Sequence, residues 1–174
     1  MSILLIQAAR QRLFEDVQDL INEGADVNFR DEEGRTALIE ATLNLDIPMM
    51  TYLLETAEAN VDTEDNFGQT ALNHIYEEYT GNNETDLLPA IDLLLRYGAD
   101  PNHCSQSGDT FLQWAAYNGY MSIAQRLLAA EVDPSLAILE ARQGEHEEMI
   151  QLLETAMASF NQQQESELDE VKKH

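Results

Sequence analysis

The sequence predicts an all-α solenoid of stacked helix-turn-helix units with short β-turn or hairpin fingers, and two repeated strings indicate it. The string Gly-Ala-Asp-Val-Asn at residues 24–28 returns as Gly-Ala-Asp-Pro-Asn at residues 98–102. The string Gly-x-Thr-x-Leu begins at Gly34, Gly68 and Gly108. Copies separated by about 34 to 40 residues are typical of arrays in which each unit buries its apolar face only by stacking on its neighbours.

Each unit is predicted to contain a glycine turn, a short helix that begins after a threonine, and a second helix that ends in a leucine pair. In the fourth unit, Thr110 is the expected N-cap of the first helix, and Gly119 is expected to end that helix. Apolar residues recur at helical spacing after Gly119, which predicts the second helix. In the second and third units, Pro48 and Pro89 fall near the first turn of the second helix, where a missing N–H group costs little.

These strings resemble the ankyrin repeat, whose pattern runs Asp-x-x-Gly-x-Thr-Pro-Leu-His-x-Ala-Ala-x-x-Gly, continues through a Leu-Leu helix and closes with Gly-Ala-Asp-x-Asn. The resemblance implies one ankyrin repeat domain over residues 1–160, with the first and last of about five repeats acting as caps. The implied repeats are residues 3–30, 31–64, 65–104, 105–134 and 135–160. Residues 161–174 are polar and are expected to form a flexible C-terminal tail.

The chain departs from the family pattern at the proline and at the histidine. The proline is replaced by Ala37, Ala71 and Phe111, and the histidine by Ile39, Asn73 and Gln113. The family's hydrogen bond from threonine to histidine between neighbouring units therefore cannot form in its usual way. The third repeat also carries an insertion, residues 79–86, which is either a contact loop or a neutral insertion. We expect this inserted repeat to be the least stable part of the array.

Charge is the second informative feature of the chain. It has 33 Asp and Glu residues against 9 Lys and Arg residues, which gives a formal net charge of −24. Neither Lys nor Arg occurs between Arg35 and Arg96. Such a surface repels phosphate groups, which argues against nucleic acid and anionic membranes as partners, whereas it attracts a basic protein. The alternative interpretation is that the acidity serves solubility.

Nothing in the chain indicates catalysis, a cofactor or a metal site. It contains no glycine-rich phosphate loop with lysine, no His-Glu-x-x-His and no Cys-x-x-Cys string. His103 and Cys104 are adjacent, but neighbouring residues on a turn seldom reach the geometry of a base and its nucleophile. No apolar run reaches about 18 residues, so we expect no membrane span. The lone cysteine suits a reducing compartment, and a cytoplasmic location is expected.

The resemblance implies a partner-binding surface on the concave side of the array, made of turn tips and the exposed side of the first helices. Phe67 and Tyr117 are the sharpest candidates, because exposed aromatic side chains contribute strongly to interfaces. Trp114 is a further candidate, with packing between repeats as the alternative. The candidate partner-binding residues are Glu32, Glu33, Arg35, Asn66, Phe67, Gln69, Glu77, Glu78, Gln106, Ser107, Asp109, Trp114, Tyr117 and Asn118.

Two functions from different classes are compatible with these features. The first is a stoichiometric binding protein, monomeric when free, that occupies a basic partner protein through its acidic concave face, as an inhibitor or an immunity-type protein does. The second is an adaptor or secreted effector that holds two proteins, one on the concave face and one on the tail. The resemblance does not choose between them, because this fold hosts many unrelated roles.

Overall fold

The computed structural model describes residues 1–77, 83–104 and 108–171, with side chains through residue 162 except that of Glu77. In this part of the chain the regular structure is helical and no strand occurs, in agreement with the predicted all-α class. A 3-10 turn, Glu84–Asp86, precedes the sixth helix. The helices are α1 (Ser2–Arg10), α2 (Phe14–Asn22), α3 (Ala37–Leu43), α4 (Ile47–Glu55), α5 (Ala71–Glu77), α6 (Leu88–Arg96), α7 (Phe111–Asn118), α8 (Met121–Ala129), α9 (Ala137–Gln143) and α10 (Glu147–Val171).

In the second and fourth repeats, the threonine of the pattern caps the first helix. Thr36 Oγ1 accepts a hydrogen bond from the N–H of Ile39 at 3.3 Å. Thr110 forms a capping box, in which its Oγ1 accepts from the N–H of Gln113 and Gln113 Oε1 accepts from the Thr110 N–H. These bonds satisfy donors that a helix start leaves without partners. Gly119 ends α7 in the left-handed conformation, with φ of 72°, so the predicted start and end of this helix are both confirmed.

The second helices of the second and third repeats begin with the two prolines. Pro48 lies in the first turn of α4 and Pro89 in the first turn of α6, as predicted. Asp46 caps α4 by accepting from the N–H of Met49 at 3.2 Å. Because an N-terminal N–H has no partner inside the helix, proline loses nothing at these positions.

Residues 1–108 form one compact unit in which helices pair and stack. In this unit α1 packs against α2 and α3, α3 packs against α4 and α5, and α6 packs against α4 and α5. Phe14 on α2 meets Tyr52 on α4 edge to face, with 5.6 Å between ring centroids. Helices this short are stable only when their apolar faces are buried. The buried core includes Leu5, Ile6, Ala9, Val17, Leu38, Ile39, Met49, Met50, Leu53, Leu72, Leu87, Ile91 and Leu94.

Residues 109–174 form the second compact unit. Here α7 packs against α8 and α9, and α9 packs against α10. The helix α10 spans 25 residues and continues past residue 160, where the repeat domain was predicted to end. The flexibility of residues 161–174 stays a prediction. The buried core includes Phe111, Leu112, Ala115, Ala116, Ile123, Ala124, Leu127, Val132, Ala137, Ala141, Met149 and Leu153.

An Asp/Asn ladder links the repeats of the first unit, at the string Gly-Ala-Asp-x-Asn and its variants. The first side chain of each string accepts from the N–H two residues on, as Asp26 does from Asn28 at 3.0 Å. The second side chain accepts from the next repeat: Asn28 Oδ1 from the N–H of Asn60 at 2.7 Å, and Asp62 Oδ1 from that of Asp100 at 3.1 Å. The repeated string therefore supplies acceptors for backbone donors across each boundary.

Asn73 stands where the family has histidine and makes a long-range link of its own. Its Oδ1 accepts from the N–H and the Oγ1 of Thr70, at 3.0 and 2.8 Å. Its Nδ2 donates to the hydroxyl of Tyr76 at 3.2 Å and to the carbonyl oxygen of His103 at 3.3 Å. The family's threonine–histidine bond cannot form here because the residue is not histidine. The buried amide of Asn73 bonds to Thr70 instead, and it also reaches the carbonyl oxygen of His103 in the segment after α6.

Several joints between helices hold a residue other than glycine in the left-handed conformation. Between the paired helices, Leu45 (φ 49°) and Glu145 (φ 59°) stand where Gly119 stands in the fourth repeat. After the second helix of the second and fourth repeats, Glu58 (φ 55°) and Glu131 (φ 60°) adopt the same conformation. A side chain in this region costs about 1–2 kcal/mol, so these joints are strained relative to glycine.

The predicted insertion, residues 79–86, lies partly outside the described residues. In its described part, Asn83 caps the 3-10 turn by accepting from the N–H of Thr85 at 3.3 Å. The Asn83 Nδ2 donates to Asp86 Oδ1 at 3.1 Å. This part is closed by its own side chains, and its role as a contact loop stays a prediction.

Candidate functional site

The candidate surface of the first unit is built on two turns, finger one (residues 31–35) and finger two (residues 65–69). A backbone hydrogen bond joins the first and last residue of each, at 3.0 Å in finger one and 2.9 Å in finger two. In finger one, Asp31 Oδ1 also accepts from the N–H groups of Glu33 and Arg35, at 3.0 and 2.9 Å. The aspartate that opens the repeat pattern therefore fixes the turn from inside.

Finger two is closed in the same way and is attached to the helix behind it. Asp65 Oδ1 accepts from the N–H groups of Phe67 and Gln69, at 2.8 and 3.0 Å. Asp65 Oδ2 lies 3.0 Å from Nε2 of His74 on α5, and both side chains are buried. A buried polar network of this kind holds its members in one arrangement, so the exposed ring of Phe67 is carried on a well-defined turn.

Asn66 joins the two fingers. Its N–H donates to the carbonyl oxygen of Glu33 at 2.9 Å, and its Nδ2 donates to that of Glu32 at 2.7 Å. Arg30 Nη2 donates to Asn66 Oδ1 at 3.3 Å. Gly34 leaves room for this approach, because a Cβ atom there would lie 2.6 Å from the Asn66 nitrogen. The fingers thus form one hydrogen-bonded edge.

A charged cluster lies beside finger one. The buried carboxylate of Glu40 on α3 accepts from Arg10 Nη2 at 2.7 Å, and Arg10 also reaches Asp31 at 3.3 Å. The hydrogen bond to Glu40 raises the pKa of the Arg10 guanidinium above its ordinary value. Arg35 is half-buried, and its Nη1 lies 3.6 Å from Glu40 Oε1. Its Nε lies 3.4 Å from Glu33 Oε2, but this contact does not have the geometry of a hydrogen bond. Both arginines are therefore engaged with carboxylates of this chain.

The predicted residues of the fingers differ in how much surface they offer. Glu32, Glu33 and Asn66 are exposed, and Phe67 is 53% exposed. Gln69 was expected on the tip, but it is only 9% exposed because it closes the base of finger two. Little of its side chain is open to a partner, and its contribution stays a prediction.

The predicted residues of the second unit lie on α7 and just before it. Tyr117 is 53% exposed, and exposed Asn118 donates from Nδ2 to the carbonyl oxygen of Trp114 at 2.8 Å. Trp114 is half-buried, with its ring centroid 5.6 Å from that of Phe111 and 5.0 Å from that of Tyr120. This packing favours the structural alternative for Trp114. Asp109 is exposed at the start of the unit.

The side-chain surroundings of four predicted partner-binding residues are not described. Glu78, Gln106 and Ser107 lie outside the described residues, and only the backbone of Glu77 is described. Their contacts stay predictions.

Two exposed leucines on the last repeat were missed by the sequence analysis. Leu136 occupies the N-cap position of α9 and Leu139 lies within the helix, and each is 60% exposed. Their neighbours Ala137, Ile138 and Ala141 are buried and define the inward side of this helix. The sequence does contain the pattern that indicates them, because leucines three residues apart that fall outside a buried helical stripe must face solvent or a partner.

The described residues offer contact surface rather than a reactive group of side chains. His103 Nε2 lies 3.1 Å from Glu64 Oε1, whereas Cys104 Sγ lies 3.7 Å from the carbonyl oxygen of Asn102. The adjacent histidine and cysteine therefore have different neighbours. Within the described ranges, no three His, Cys, Asp or Glu residues are grouped as metal ligands would be. In the same ranges, every helix is too short or too polar to cross a bilayer.

Two models of one family match most of the chain. One, described as ankyrin repeats (3 copies), matches residues 5–85, and one described as ankyrin repeats (many copies) matches residues 88–128. The Mus musculus protein named ankyrin repeat domain-containing protein 53 is 35% identical to the chain over 91 residues. That alignment covers 52% of this chain and 18% of the mouse protein, so the chain spans less than a fifth of this relative.

Proposed function

The chain belongs to the ankyrin repeat family, and on that premise we propose that it is a non-catalytic binding protein that occupies a basic partner protein through the finger side of its first unit. Ankyrin repeats generally act as protein–protein interaction modules. The finer proposal concerns where the partner binds and what charge it carries.

The observation that carries this proposal is the hydrogen-bonded edge formed by the two fingers. It carries exposed Glu32 and Glu33 on finger one and the exposed ring of Phe67 on finger two. Since both turns are closed by buried or half-buried aspartates, an incoming partner orders little additional backbone, which lowers the entropy cost of binding. The aromatic ring supplies apolar contact area, and the carboxylates attract cations.

We further propose that this binding is stoichiometric inhibition, as in an immunity-type protein that blocks a cationic toxin or nuclease. The net charge of −24 steers a basic partner towards the surface and opposes self-association, which supports a monomer in the free state. A cytoplasmic location belongs to the same proposal.

Affinity capture from native cell extract tests it. The tagged chain is washed at low and then at high salt, and each fraction is identified by mass spectrometry. We expect one basic protein at about one-to-one stoichiometry, released by salt because ionic attraction is screened.

Point variants then locate the interface. Phe67→Ala and Glu32→Lys, which both change the finger edge, are expected to weaken binding about tenfold or more each. Glu58→Lys, which makes the same charge change in the loop after α4, is the matched control and is expected to change binding less than about twofold. Tight binding that resists salt and both finger variants would overturn the charged finger surface.

The second candidate function is an adaptor or secreted effector that scaffolds two proteins, and the length of α10 favours it. That helix spans 25 residues, whereas α7, α8 and α9 span 8, 9 and 7 residues. Deletion of residues 161–174 separates the two candidates. An inhibitor keeps its full activity after the deletion, whereas an adaptor loses one of two partners.

A further inference from the structure

The first repeat carries a groove that the proposed function does not use. It encloses about 360 Å³ between α1 and α2, within the first unit. Four apolar side chains line it: Leu4, Ala8, Leu13 and Leu20. Leu4 and Leu13 are large and substantially exposed. Exposed leucines gathered in a concave surface are typical of interaction sites.

The groove has the geometry of a helix-binding site. Along α1 and its C-cap the lining residues follow one stripe, from Leu4 through Ala8 to Gln11. Along α2 and its C-cap they follow another, from Asp16 through Leu20 to Glu23. Stripes with this spacing lie along one side of each helix. Because seven residues of helix rise about 10 Å, the groove has room for roughly two turns of a third helix.

The groove is also acidic on one side. Its α2 wall carries Asp16, Asp19 and Glu23, all exposed, and its lining includes no lysine, arginine or histidine. The two arginines nearest in sequence are engaged elsewhere: Arg10 with Glu40 and Asp31, and Arg12 with Asp46 at 3.4 Å. The negative charge of the wall is therefore not neutralised from within the groove.

We propose that this groove binds an amphipathic helix of a partner protein, with leucine-like side chains on its apolar face and lysine or arginine on its flanks. The leucines cover the apolar floor, and the flanking cations meet the carboxylate wall. A second copy of the chain is a poor occupant, since it would bring the same three carboxylates of both copies together. No finger residue lines this groove, and the site does not depend on the proposed function.

The test uses the full chain and a synthetic probe. The probe is a fluorescein-labelled peptide of about 14 residues with leucines at i, i+3, i+4 and i+7 and lysines on both flanks. Fluorescence anisotropy is expected to show saturable binding that weakens at high salt. The same peptide with glutamate in place of lysine is expected to bind at least about tenfold more weakly.

Variants assign the binding to the groove. Leu4→Gln and Asp19→Lys are each expected to weaken the lysine peptide about tenfold, because each removes a contact the proposal requires. Phe67→Ala and Glu32→Lys change the finger edge instead and are expected to change peptide binding less than about twofold. Adding the peptide to the unaltered protein should change the NMR chemical shifts of backbone amides in α1 and α2 only, which assigns the binding site without any substitution.

Several results would overturn this site. One is the absence of saturable binding up to roughly 1 mM peptide. A second is equal binding of the lysine and glutamate peptides. A third is loss of peptide binding in Phe67→Ala while Asp19→Lys binds the peptide normally. A concentration-dependent dimer that Leu4→Gln dissociates would assign the groove to a second copy and would also overturn it. If the captured basic protein depends on Phe67 and not on Leu4 or Asp19, the proposed function stands without the groove.

Discussion

Asp65 is the residue on which the shape of finger two depends. Its carboxylate accepts two backbone N–H groups and meets the buried His74, so its loss leaves several buried polar groups without partners. Asp65→Ala is expected to lower the free energy of unfolding by about 2–3 kcal/mol.

Asp31 provides the matched comparison for that prediction. It plays the same part in finger one, but its other oxygen meets a half-exposed arginine rather than a buried histidine. Asp31→Ala is therefore expected to cost about 1 kcal/mol. Urea denaturation followed by circular dichroism measures both variants, and an Asp31→Ala loss equal to or greater than that of Asp65→Ala would contradict the importance of the buried pair.

The left-handed glutamates lead to a stabilising prediction at the same scale. Glu58 and Glu131 are exposed and carry side chains at positive φ. Replacing either with glycine removes this strain, although glycine also gains entropy in the unfolded chain, so the net gain is expected to be about 0.5–1 kcal/mol. Glu58→Ala is the control: it keeps a Cβ atom, and its melting temperature should rise by less than that of Glu58→Gly.

At the scale of elements, the contact between the fingers depends on the absence of a side chain at Gly34. A Cβ atom there would press on the nitrogen and the Oδ1 of Asn66, both at 2.6 Å. Gly34→Ala is expected to cost about 2–4 kcal/mol, from backbone strain together with separation of the two turns.

Gly24 separates these two causes, because its φ of 90° is similar and a methyl group added there would meet nothing within 4 Å. Gly24→Ala should therefore show the backbone cost alone, about 1–2 kcal/mol. Equal losses of stability in the two variants would mean that the contact between fingers adds nothing to stability.

The sequence predicted these elements better than it predicted the contacts between them. Thr110, Pro48 and Gly119 act within one turn of the chain, so a local pattern suffices to place a cap, a helix start or a helix end. Asn66 bonds to finger one, which belongs to the preceding repeat, and Gln69 is buried by the path of its own turn. A list of the variable positions of the repeat pattern contains neither kind of information. The sequence predicted tips that share one surface, but it did not predict the hydrogen bonds that join fingers one and two into an edge.

At the scale of the whole molecule, the two compact units lead to a prediction about unfolding. The chain has one tryptophan, Trp114, which lies in the second unit, so its fluorescence follows that unit alone. Circular dichroism follows the helices of both units. Because repeat arrays are stabilised mainly between neighbours, Asp65→Ala is expected to lower the urea midpoint seen by circular dichroism more than the midpoint seen by fluorescence. Equal shifts of both midpoints would show that the chain unfolds as one cooperative block.

The Asp/Asn ladder has a consequence for how such a chain can change over generations. Its bonds use only an oxygen acceptor, which aspartate and asparagine share. The chain already exchanges them: its three strings read Asp26-x-Asn28, Asn60-x-Asp62 and Asp100-x-Asn102, and all three make the same turn. Each such exchange alters the formal charge by one without removing a ladder bond. Electrostatic character can therefore drift, or be engineered, independently of the architecture, and a library of Asp/Asn swaps would vary attraction to a partner on an unchanged scaffold.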